Sequence, residues 1–437
     1  MIPLDWKEIE SLALGELRGA PEDGVVSRVH DDSRDARSGD LFVALNSGRR
    51  FVDEAMGRGA AALVPVDPEA ALATLARTVR ERSDARVVAV VGSTGKTSTK
   101  DAIAWLCHAV TPTVAAEASR NNELGLPLTV LRLEPETKVL VTEMGMRGVG
   151  QIAELCAIAR PNLVVVTSIG PEHLELVGTV ADVAGANAEA IEALPAGGIA
   201  VVPADVPELE PFLRDDLDVR RFARDSIERL PMTESLALAG RVTASRWRFV
   251  VGAEETTLML PFDQRHLAEN VLAALTAYDA LGLPLERAQE GASRIELSAW
   301  RGEVRVLPAG GLVVNDTYNA NPTSMRAALL DLAERAQGRR RVVILGEMAE
   351  LGVASDRYHD EVGELITELG IELVIGVGER AHAYLPGAGE SAWIADHAGF
   401  DSVGELIRPG DAVLVKASRA SGLEGIPARI EKLAAAW

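Results

Sequence analysis

The sequence predicts an α/β protein with mainly parallel sheets, organised in three domains. Strand-like apolar runs alternate with amphipathic helical stretches through most of the chain, which is the pattern of α/β units. The chain also has 437 residues, and this length corresponds to roughly two to four domains at about 100–200 residues each. Aromatic residues make up only 4% of the sequence, so we expect aliphatic cores.

The apolar runs fall into three blocks, which we interpret as domains. Residues 1–82 are predicted to form a small α/β domain, with strands at 40–45 and 60–66. Residues 83–303 are predicted to form a central domain, with buried parallel strands at 87–91, 139–142 and 163–166. Within this block, alternating segments on both sides of Gly252 predict a small antiparallel excursion.

The third block, residues 304–437, is predicted to form a Rossmann-like, doubly wound sheet. Its strands are expected at 312–314, 342–345, 373–376 and 412–415. Amphipathic helices separate these runs, so a crevice is expected at the carboxyl ends of the strands.

Composition excludes several functional classes. The net charge of −21 argues against non-specific binding of nucleic acid or of an anionic membrane. No run of 18 uncharged apolar residues predicts a membrane span, and the first residues lack the pattern of a signal peptide. Cys107 and Cys156 lie in apolar helical stretches and are expected to be buried free thiols rather than a disulfide. We therefore expect a cytoplasmic protein, and no heptad pattern or apolar interface pattern suggests more than a monomer.

A phosphate-binding loop follows the predicted strand at 87–91. It consists of Gly92, Ser93, Thr94, Gly95, Lys96, Thr97 and Ser98. A helical pattern follows immediately, and a strand, a glycine turn and a helix start form the context in which such a loop binds phosphate. Glycines let the backbone curl around the anion, and the peptide N–H groups and helix dipole then face it.

Two side chains of this loop have specific expected roles. Lys96 supplies a positive charge for the β and γ phosphates of ATP, and the Thr97 hydroxyl is placed to coordinate Mg²⁺. The longer form of the motif has a glycine where this chain has Val90, so the loop is a compact variant. The alternative is a glycine turn with an incidental lysine. The preceding strand, the motif and the following helix together favour a phosphate-binding loop instead.

Further polar residues follow neighbouring strands. Glu143 ends one predicted strand and His173 follows the next, and the carboxyl ends of parallel strands share one sheet edge, so both could ligate a metal near the loop. Taken singly, each is more often a solvated strand end or an ordinary histidine. Asn121 and Asn122 form another polar turn, which could cap the backbone or hold a substrate.

Together these motifs resemble the Mur ligases, the ATP-dependent amide ligases of peptidoglycan precursor assembly. The resemblance covers nearly the whole chain, and its matching segments are 32–34, 39–45, 92–98, 121–127, 143–145, His173, His266 with Asn270, 315–322, 345–352, His359 and 416–419. Segments 316–322 and 346–352 favour the branch of the family that adds D-alanyl-D-alanine to UDP-N-acetylmuramoyl-tripeptide.

The resemblance implies a role for each domain. The first domain, with Ser33 and Arg34, would hold the UDP end of the substrate. The second would bind ATP and Mg²⁺, with Lys96, His173 and Glu143 as catalytic residues and Thr97, Glu143 and His173 as metal ligands. Further ATP contacts would come from His266, Asn270, Arg301 and Asp316. The substrate contacts implied are Asn121, Asn122, Tyr318, Asn319 and Asn321.

The implied reaction is amide formation through an acyl phosphate, a step of cell wall biogenesis that supports cell shape and division. Two alternatives stay open at this stage. The first alternative is a sibling ligase that adds a single amino acid, but the 316–322 segment favours the dipeptide-adding branch. The second is a ligase-like subunit that binds nucleotide without catalysis, but the intact loop, Glu143 and His173 favour a catalytic site.

Three positions depart from the family's pattern. Asn187 stands where the family usually has a carbamylated lysine that ligates metal, and an asparagine cannot form a carbamate. Either Asn187 and Glu189 hold the second metal through water, or that metal is weakly bound. The loop after residues 48–53 is shortened, which affects recognition of the UDP-sugar end, and Ala417 replaces a usual glycine.

Overall fold

A computed structural model describes residues 1–231 and 244–437 of the chain. Its first elements are β1 (Leu4–Asp5), α1 (Trp6–Ser11), β2 (Gly15–Arg18), β3 (Val25–Val26), β4 (Val29–His30), β5 (Leu41–Val43), α2 (Val52–Gly57), β6 (Ala61–Pro65) and α3 (Pro68–Glu81). Strands β2, β6, β5 and β4 form a mixed four-stranded sheet in that order, and β1 pairs with β3. Helix α3 begins where Asp67 accepts a hydrogen bond from the Ala70 N–H at 3.0 Å, as an N-cap residue does.

The next elements are β7 (Arg86–Val91), α4 (Lys96–His108), β8 (Thr113–Ala115), α5 (Gly125–Val130), β9 (Val139–Glu143), α6 (Gln151–Ala159), β10 (Leu163–Val166), α7 (Leu174–Val177), α8 (Val180–Glu192), β11 (Ile199–Pro203), β12 (Asp218–Phe222), β13 (Ile227–Leu230), β14 (Ser245–Val251), β15 (Glu254–Leu260), α9 (Arg265–Ala280) and α10 (Ala288–Ala292). Six of these strands form a parallel sheet in the order β12-β11-β10-β7-β9-β8.

Strand β7 lies inside this sheet and is covered on both faces. Val87, Ala89 and Val91 pack into one hydrophobic core, and Val88 and Val90 pack into a second core on the opposite face. Successive side chains of a strand point to opposite faces, so a strand covered on both sides is apolar at every position. The continuous run at 87–91 therefore correctly predicted a buried parallel strand, and the loop that follows it starts near the middle of the sheet edge.

A small antiparallel sheet confirms the predicted excursion. Strands β14 and β15 pair through a turn at Gly252, whose φ is +60°, and β13 adds a third strand that the sequence did not predict. Alternate residues of β14 are buried, which is the pattern of a sheet with one face on a core.

The last elements are β16 (Glu303–Val306), β17 (Leu312–Asp316), α11 (Pro322–Ala336), β18 (Arg341–Leu345), α12 (Ser355–Glu368), β19 (Leu373–Val377), β20 (Glu390–Ile394), β21 (Ala412–Lys416) and α13 (Ile426–Ala434). They form a sheet in the order β16-β17-β21-β18-β19-β20, in which only the β16–β17 pair is antiparallel. The four predicted strands of this block are confirmed, and β16 and β20 are additional edge strands.

Two further expectations can be compared with the structure. Cys107 and Cys156 are both buried free thiols, as predicted, and burial raises the pKa of each to about 12. Among residues 1–231 and 244–437, no helix is long and apolar enough to cross a membrane.

Arg80 connects the end of α3 to the end of α6. Its guanidinium donates from Nε to the Ala159 carbonyl at 2.8 Å and from Nη1 to the Ser83 carbonyl at 2.7 Å. The side chain is buried, and burial lowers its pKa. Charged hydrogen bonds of this kind are worth about 1.5–3 kcal/mol each, so Arg80 stabilises the packing of α3 on the central sheet.

Replacing Arg80 by methionine should lower the free energy of unfolding by about 2 kcal/mol or more, because the buried Ala159 carbonyl and the part-buried Ser83 carbonyl lose a charged donor. The matched control is Arg77→Met on the exposed face of the same helix, which should change stability by less than about 0.5 kcal/mol. Thermal and urea unfolding would measure both. Equal, small effects of the two substitutions would contradict the role given to Arg80.

Candidate functional site

The phosphate loop spans the gap between β7 and α4. Gly92 and Gly95 have φ angles of +124° and +80°, a region that side chains rarely adopt. A Cβ on Gly92 would overlap the Thr167 hydroxyl, and a Cβ on Gly95 would overlap the side-chain oxygen of Asn270. Conformation therefore favours glycine at both positions, and at Gly92 the backbone atoms of Thr167 and Ser168 also leave no space for a Cβ.

Neighbouring parts of the sheet hold the loop in its curled shape. The Ser93 N–H donates to the Ser168 carbonyl at 2.8 Å, and the Thr94 N–H donates to the Ser168 hydroxyl at 2.9 Å. The Gly92 N–H donates to the side-chain oxygen of Asn187 at 2.7 Å. These bonds come from the turn after β10 and from α8, so the loop depends on tertiary contacts on both sides.

Asn187 is fully engaged by backbone groups. It is buried, and its side-chain nitrogen donates to the Val183 carbonyl at 2.9 Å while its oxygen binds Gly92. Glu189 accepts hydrogen bonds from the Gly150 N–H at 2.6 Å and the Ala153 N–H at 3.0 Å, at the start of α6. The idea that these two side chains hold a metal through water is thus not supported by their contacts. Asn187 instead supports the phosphate loop.

Lys96 lies against a carboxylate that the sequence analysis did not single out. Its ammonium donates to the Gly92 carbonyl and lies 3.5 Å from Oε2 of Glu172. Only 8% of Glu172 is exposed, and burial raises its pKa despite the nearby charge of Lys96. An acidic residue directly before His173 was the signal in the sequence that could have identified it.

Glu143 has one oxygen available to a cation. Its Oε1 accepts a hydrogen bond from the Asn121 side chain at 2.8 Å. Its Oε2 is buried and, within the part of the chain that the structure describes, has no hydrogen-bond partner. An unpaired buried carboxylate oxygen beside a phosphate loop fits Mg²⁺, which prefers oxygen ligands.

No group of three His, Cys, Asp or Glu side chains within residues 1–231 and 244–437 forms a complete metal cluster. Mg²⁺ usually binds to one or two carboxylates, with waters and substrate phosphates as its remaining ligands. The isolated oxygen of Glu143 and the hydroxyl of Thr97 fit that mode of binding.

His173 connects the central sheet to the third block. Its φ is +51°, and its Nδ1 pairs with Oε2 of Glu350, a residue 177 positions later. The Glu350 backbone carbonyl also accepts a hydrogen bond from the Glu175 N–H at 3.2 Å. The orientation of this imidazole is therefore set from both sides of the cleft.

The phosphate loop faces a cleft, and residues on the other side of that cleft contact the loop directly. Arg301 donates to the Thr97 hydroxyl at 2.9 Å, and its guanidinium stacks 3.8 Å from the ring centre of Tyr318. The Tyr318 hydroxyl pairs with that of Ser119. Asp316 pairs with the buried Lys416 at 2.6 Å. Arg301 thus contacts the loop directly, and Asp316 lines the same cleft.

The cleft between these walls has a volume of about 820 Å³. Of the predicted site residues, its lining includes Ser93, Thr94, Gly95, Lys96, Thr97, Ser98, Asn121, Asn122, Glu143, His173, His266, Asn270, Arg301, Asp316, Tyr318, Asn319 and Asn321. The structure thus brings together residues spread over about 230 positions of the sequence, while Gly92, Ser33 and Arg34 are not part of this lining.

Several predicted polar residues also have local structural roles. Asn122 accepts from the Gly125 N–H at 2.9 Å, and Asn321 caps α11 by accepting from the Ser324 N–H at 2.9 Å. Arg34 is exposed and paired with Asp32. The capping alternative raised for the asparagine turn therefore describes Asn122, whereas Asn121 contacts Glu143.

Sequence comparison identifies two regions of the chain. Residues 90–278 match the Mur ligase middle domain, and residues 300–419 match the Mur ligase, glutamate ligase domain. The UDP-N-acetylmuramoyl-tripeptide–D-alanyl-D-alanine ligase of Escherichia coli K12 is 32% identical, over 98% of both chains. The enzyme of the same name from Bacillus subtilis 168 is 31% identical, again over 98% of both chains.

Solved structures agree with this similarity. MurF from Acinetobacter baumannii superposes with a TM-score of 0.83 at 27% identity, covering 98% of this chain and 99% of that one. MurF ligase from Thermotoga maritima in complex with ADP gives 0.78 at 27% identity, covering 93% and 97%. The three-domain architecture expected from the sequence is that of these neighbours.

Replacing Gly95 by alanine should abolish ADP binding, because the new Cβ would displace Asn270 and distort the loop. The matched control is Gly197→Ala, since Gly197 has a similar φ of +73° but nothing within 4 Å of an added Cβ. Both substitutions should cost about 1–2 kcal/mol from the left-handed backbone alone. Calorimetric titration with ADP would separate them, and equal ADP affinity in the two variants would contradict this account.

Replacing Asn187 by leucine should weaken ADP binding about tenfold, because the Gly92 N–H loses its buried acceptor and the loop loses its shape. Asn162→Leu is a suitable control, since Asn162 accepts from the Val87 N–H at 2.9 Å at the other end of β7. Both variants should have lower melting temperatures, but only the first should have lower ADP affinity. Wild-type ADP affinity in Asn187→Leu would show that the loop does not need this bond.

Proposed function

The chain belongs to the Mur ligase family, and on this premise we propose that it joins D-alanyl-D-alanine to UDP-N-acetylmuramoyl-tripeptide at the expense of ATP. The observation that carries the proposal is the cleft itself. The phosphate loop with Lys96 forms one wall, and residues of the third block form the other. A nucleotide on the loop and an amine held by the opposite wall would therefore meet in one space.

The reaction proceeds in two steps. A carboxylate oxygen of the tripeptide attacks the γ-phosphorus of ATP, the bond from that phosphorus to the β–γ bridging oxygen breaks, and ADP leaves with the electron pair. The dipeptide amine then attacks the carbonyl carbon of the acyl phosphate. The tetrahedral intermediate expels inorganic phosphate, and the nitrogen loses a proton to give the amide.

The residues of the cleft serve these steps through charge and position. Lys96 moves from Glu172 to neutralise the β and γ phosphates, and the N–H groups at the start of α4 face them. Thr97, Glu143 and His173 would hold Mg²⁺, which when bound shields phosphate charge and polarises the phosphorus–oxygen bonds. Arg301 and Asp316 contact the nucleotide from the closing side. Asn121 orients Glu143 through the 2.8 Å hydrogen bond between them.

The proposed division of the chain follows its sheets. Residues 1–82 hold the UDP end, residues 83–303 hold ATP, and residues 304–437 hold the dipeptide. Ser33 and Arg34 would contact the UDP end away from the cleft, while Tyr318, Asn319 and Asn321 lie where the dipeptide enters. We further propose that the protein acts as a monomer in the cytoplasm. The cleft is formed by one chain, and both cysteines are free thiols.

Phosphate release from ATP tests this function directly. With UDP-N-acetylmuramoyl-tripeptide and Mg²⁺ present, D-alanyl-D-alanine should trigger release, whereas single amino acids should not. Release with a single amino acid alone would identify a sibling ligase. No release with any acceptor, together with retained ATP binding, would identify a subunit that binds nucleotide without catalysis.

Lys96→Ala should lower the rate of phosphate release about a hundredfold or more, because charge developing on the transferred phosphoryl group loses its main cation. Lys138→Ala is the control, since Lys138 is exposed and outside the cleft. A normal rate in the Lys96 variant would remove this residue from the mechanism.

A further inference from the structure

Glu172 stands in the cleft in a position that the reaction as described leaves without a role. It is 8% exposed, and its Oε2 lies 3.5 Å from the Lys96 ammonium and 3.8 Å from Nε2 of His173. Burial of a carboxylate is costly unless a cation accompanies it. Lys96 is that cation.

The Nε2 atom of His173 directs its lone pair toward the Glu172 carboxylate. Its Nδ1 pairs with the carboxylate of Glu350, and because an ionised carboxylate only accepts, Nδ1 carries the proton. In the neutral ring, Nε2 then presents its lone pair toward Oε2 of Glu172. Two electron-pair donors 3.8 Å apart can both reach one Mg²⁺ ion, whose bonds are about 2.1 Å long.

Binding of a nucleotide changes the charge around Glu172. When Lys96 turns to the phosphates, Glu172 loses its partner and stays buried beside a polyanion. A cation between carboxylate and phosphate would make that arrangement favourable. We propose that Glu172, together with Nε2 of His173, forms a divalent-cation subsite that fills when nucleotide occupies the phosphate loop.

The side chains at the position of the usual metal-ligating lysine are already engaged. Asn187 is bonded to Gly92 and Val183, and Glu189 is bonded to the start of α6. Glu172, which lies beside Nε2 of His173, can supply the negative charge that Asn187 lacks. The inference rests on the proposed use of metal and ATP in this cleft.

Mn²⁺ binding in the presence of a non-hydrolysable ATP analogue tests the subsite without turnover. Electron paramagnetic resonance counts free and bound Mn²⁺, and calorimetry measures binding of the analogue with Mg²⁺ or with EDTA. Glu172→Gln should weaken binding of Mn²⁺ at least about tenfold. The same variant should bind the analogue equally or more tightly in EDTA, because a repulsive charge is removed. Glu175→Gln, an exposed residue outside the cleft, should match the wild type in both measurements.

Two results would overturn the proposal. Unchanged Mn²⁺ affinity in Glu172→Gln would show that this carboxylate is not a ligand. Tighter binding of the analogue to the same extent with and without metal would make Glu172 only the counter-ion of Lys96.

If Glu172→Gln does not fold, Glu172→Asp keeps the charge but withdraws the carboxylate by one methylene. That variant should also lose Mn²⁺ affinity, and wild-type affinity would contradict the subsite. These readouts need only nucleotide and metal. A wild-type chain that binds Mn²⁺ as expected but releases no phosphate with the dipeptide would therefore overturn the proposed function and not the subsite.

Discussion

Hydrogen bonds from two neighbouring segments hold the phosphate loop in its curled shape, and the rest of the cleft is arranged around it. The turn after β10 binds Ser93 and Thr94, and α8 binds Gly92 through Asn187. The backbone N–H groups of such a curled loop cannot all find hydrogen-bond acceptors within the loop itself. Its geometry is therefore set by the parallel sheet, and the sheet order β10-β7-β9 places Glu143 and His173 beside it.

Two ion pairs and a histidine–carboxylate hydrogen bond organise the two walls of the cleft. Lys96 pairs with Glu172 on the loop side, Lys416 pairs with Asp316 on the other, and His173 pairs with a carboxylate from across the cleft. Such pairs cost desolvation energy, and removing one partner strands the other. In the proposed function, Lys96 would exchange Glu172 for the phosphates of the nucleotide.

Much of the fold was predictable because central parallel strands are apolar at every position. The buried strand β11 (Ile199–Pro203) was also missed, but strands β13, β16 and β20 were missed for the opposite reason. They lie at sheet edges, with exposed or half-exposed residues at most positions, so they carry no continuous apolar run. Their pairing comes from the neighbouring strand, and a short window of sequence does not contain that information.

The site was predictable to the extent that its residues follow strands or form a loop of fixed spacing. Contacts across long separations, such as His173 with Glu350, depend on how the blocks meet and leave no local pattern. Asn187 shows the limit most clearly. By position it is a missing metal ligand, but its amide accepts a hydrogen bond from Gly92, a role that a lysine ammonium cannot fill. In the proposed subsite, the negative charge near the phosphates comes instead from Glu172, which lies on the adjoining turn 3.5 Å from the Lys96 ammonium and 3.8 Å from Nε2 of His173.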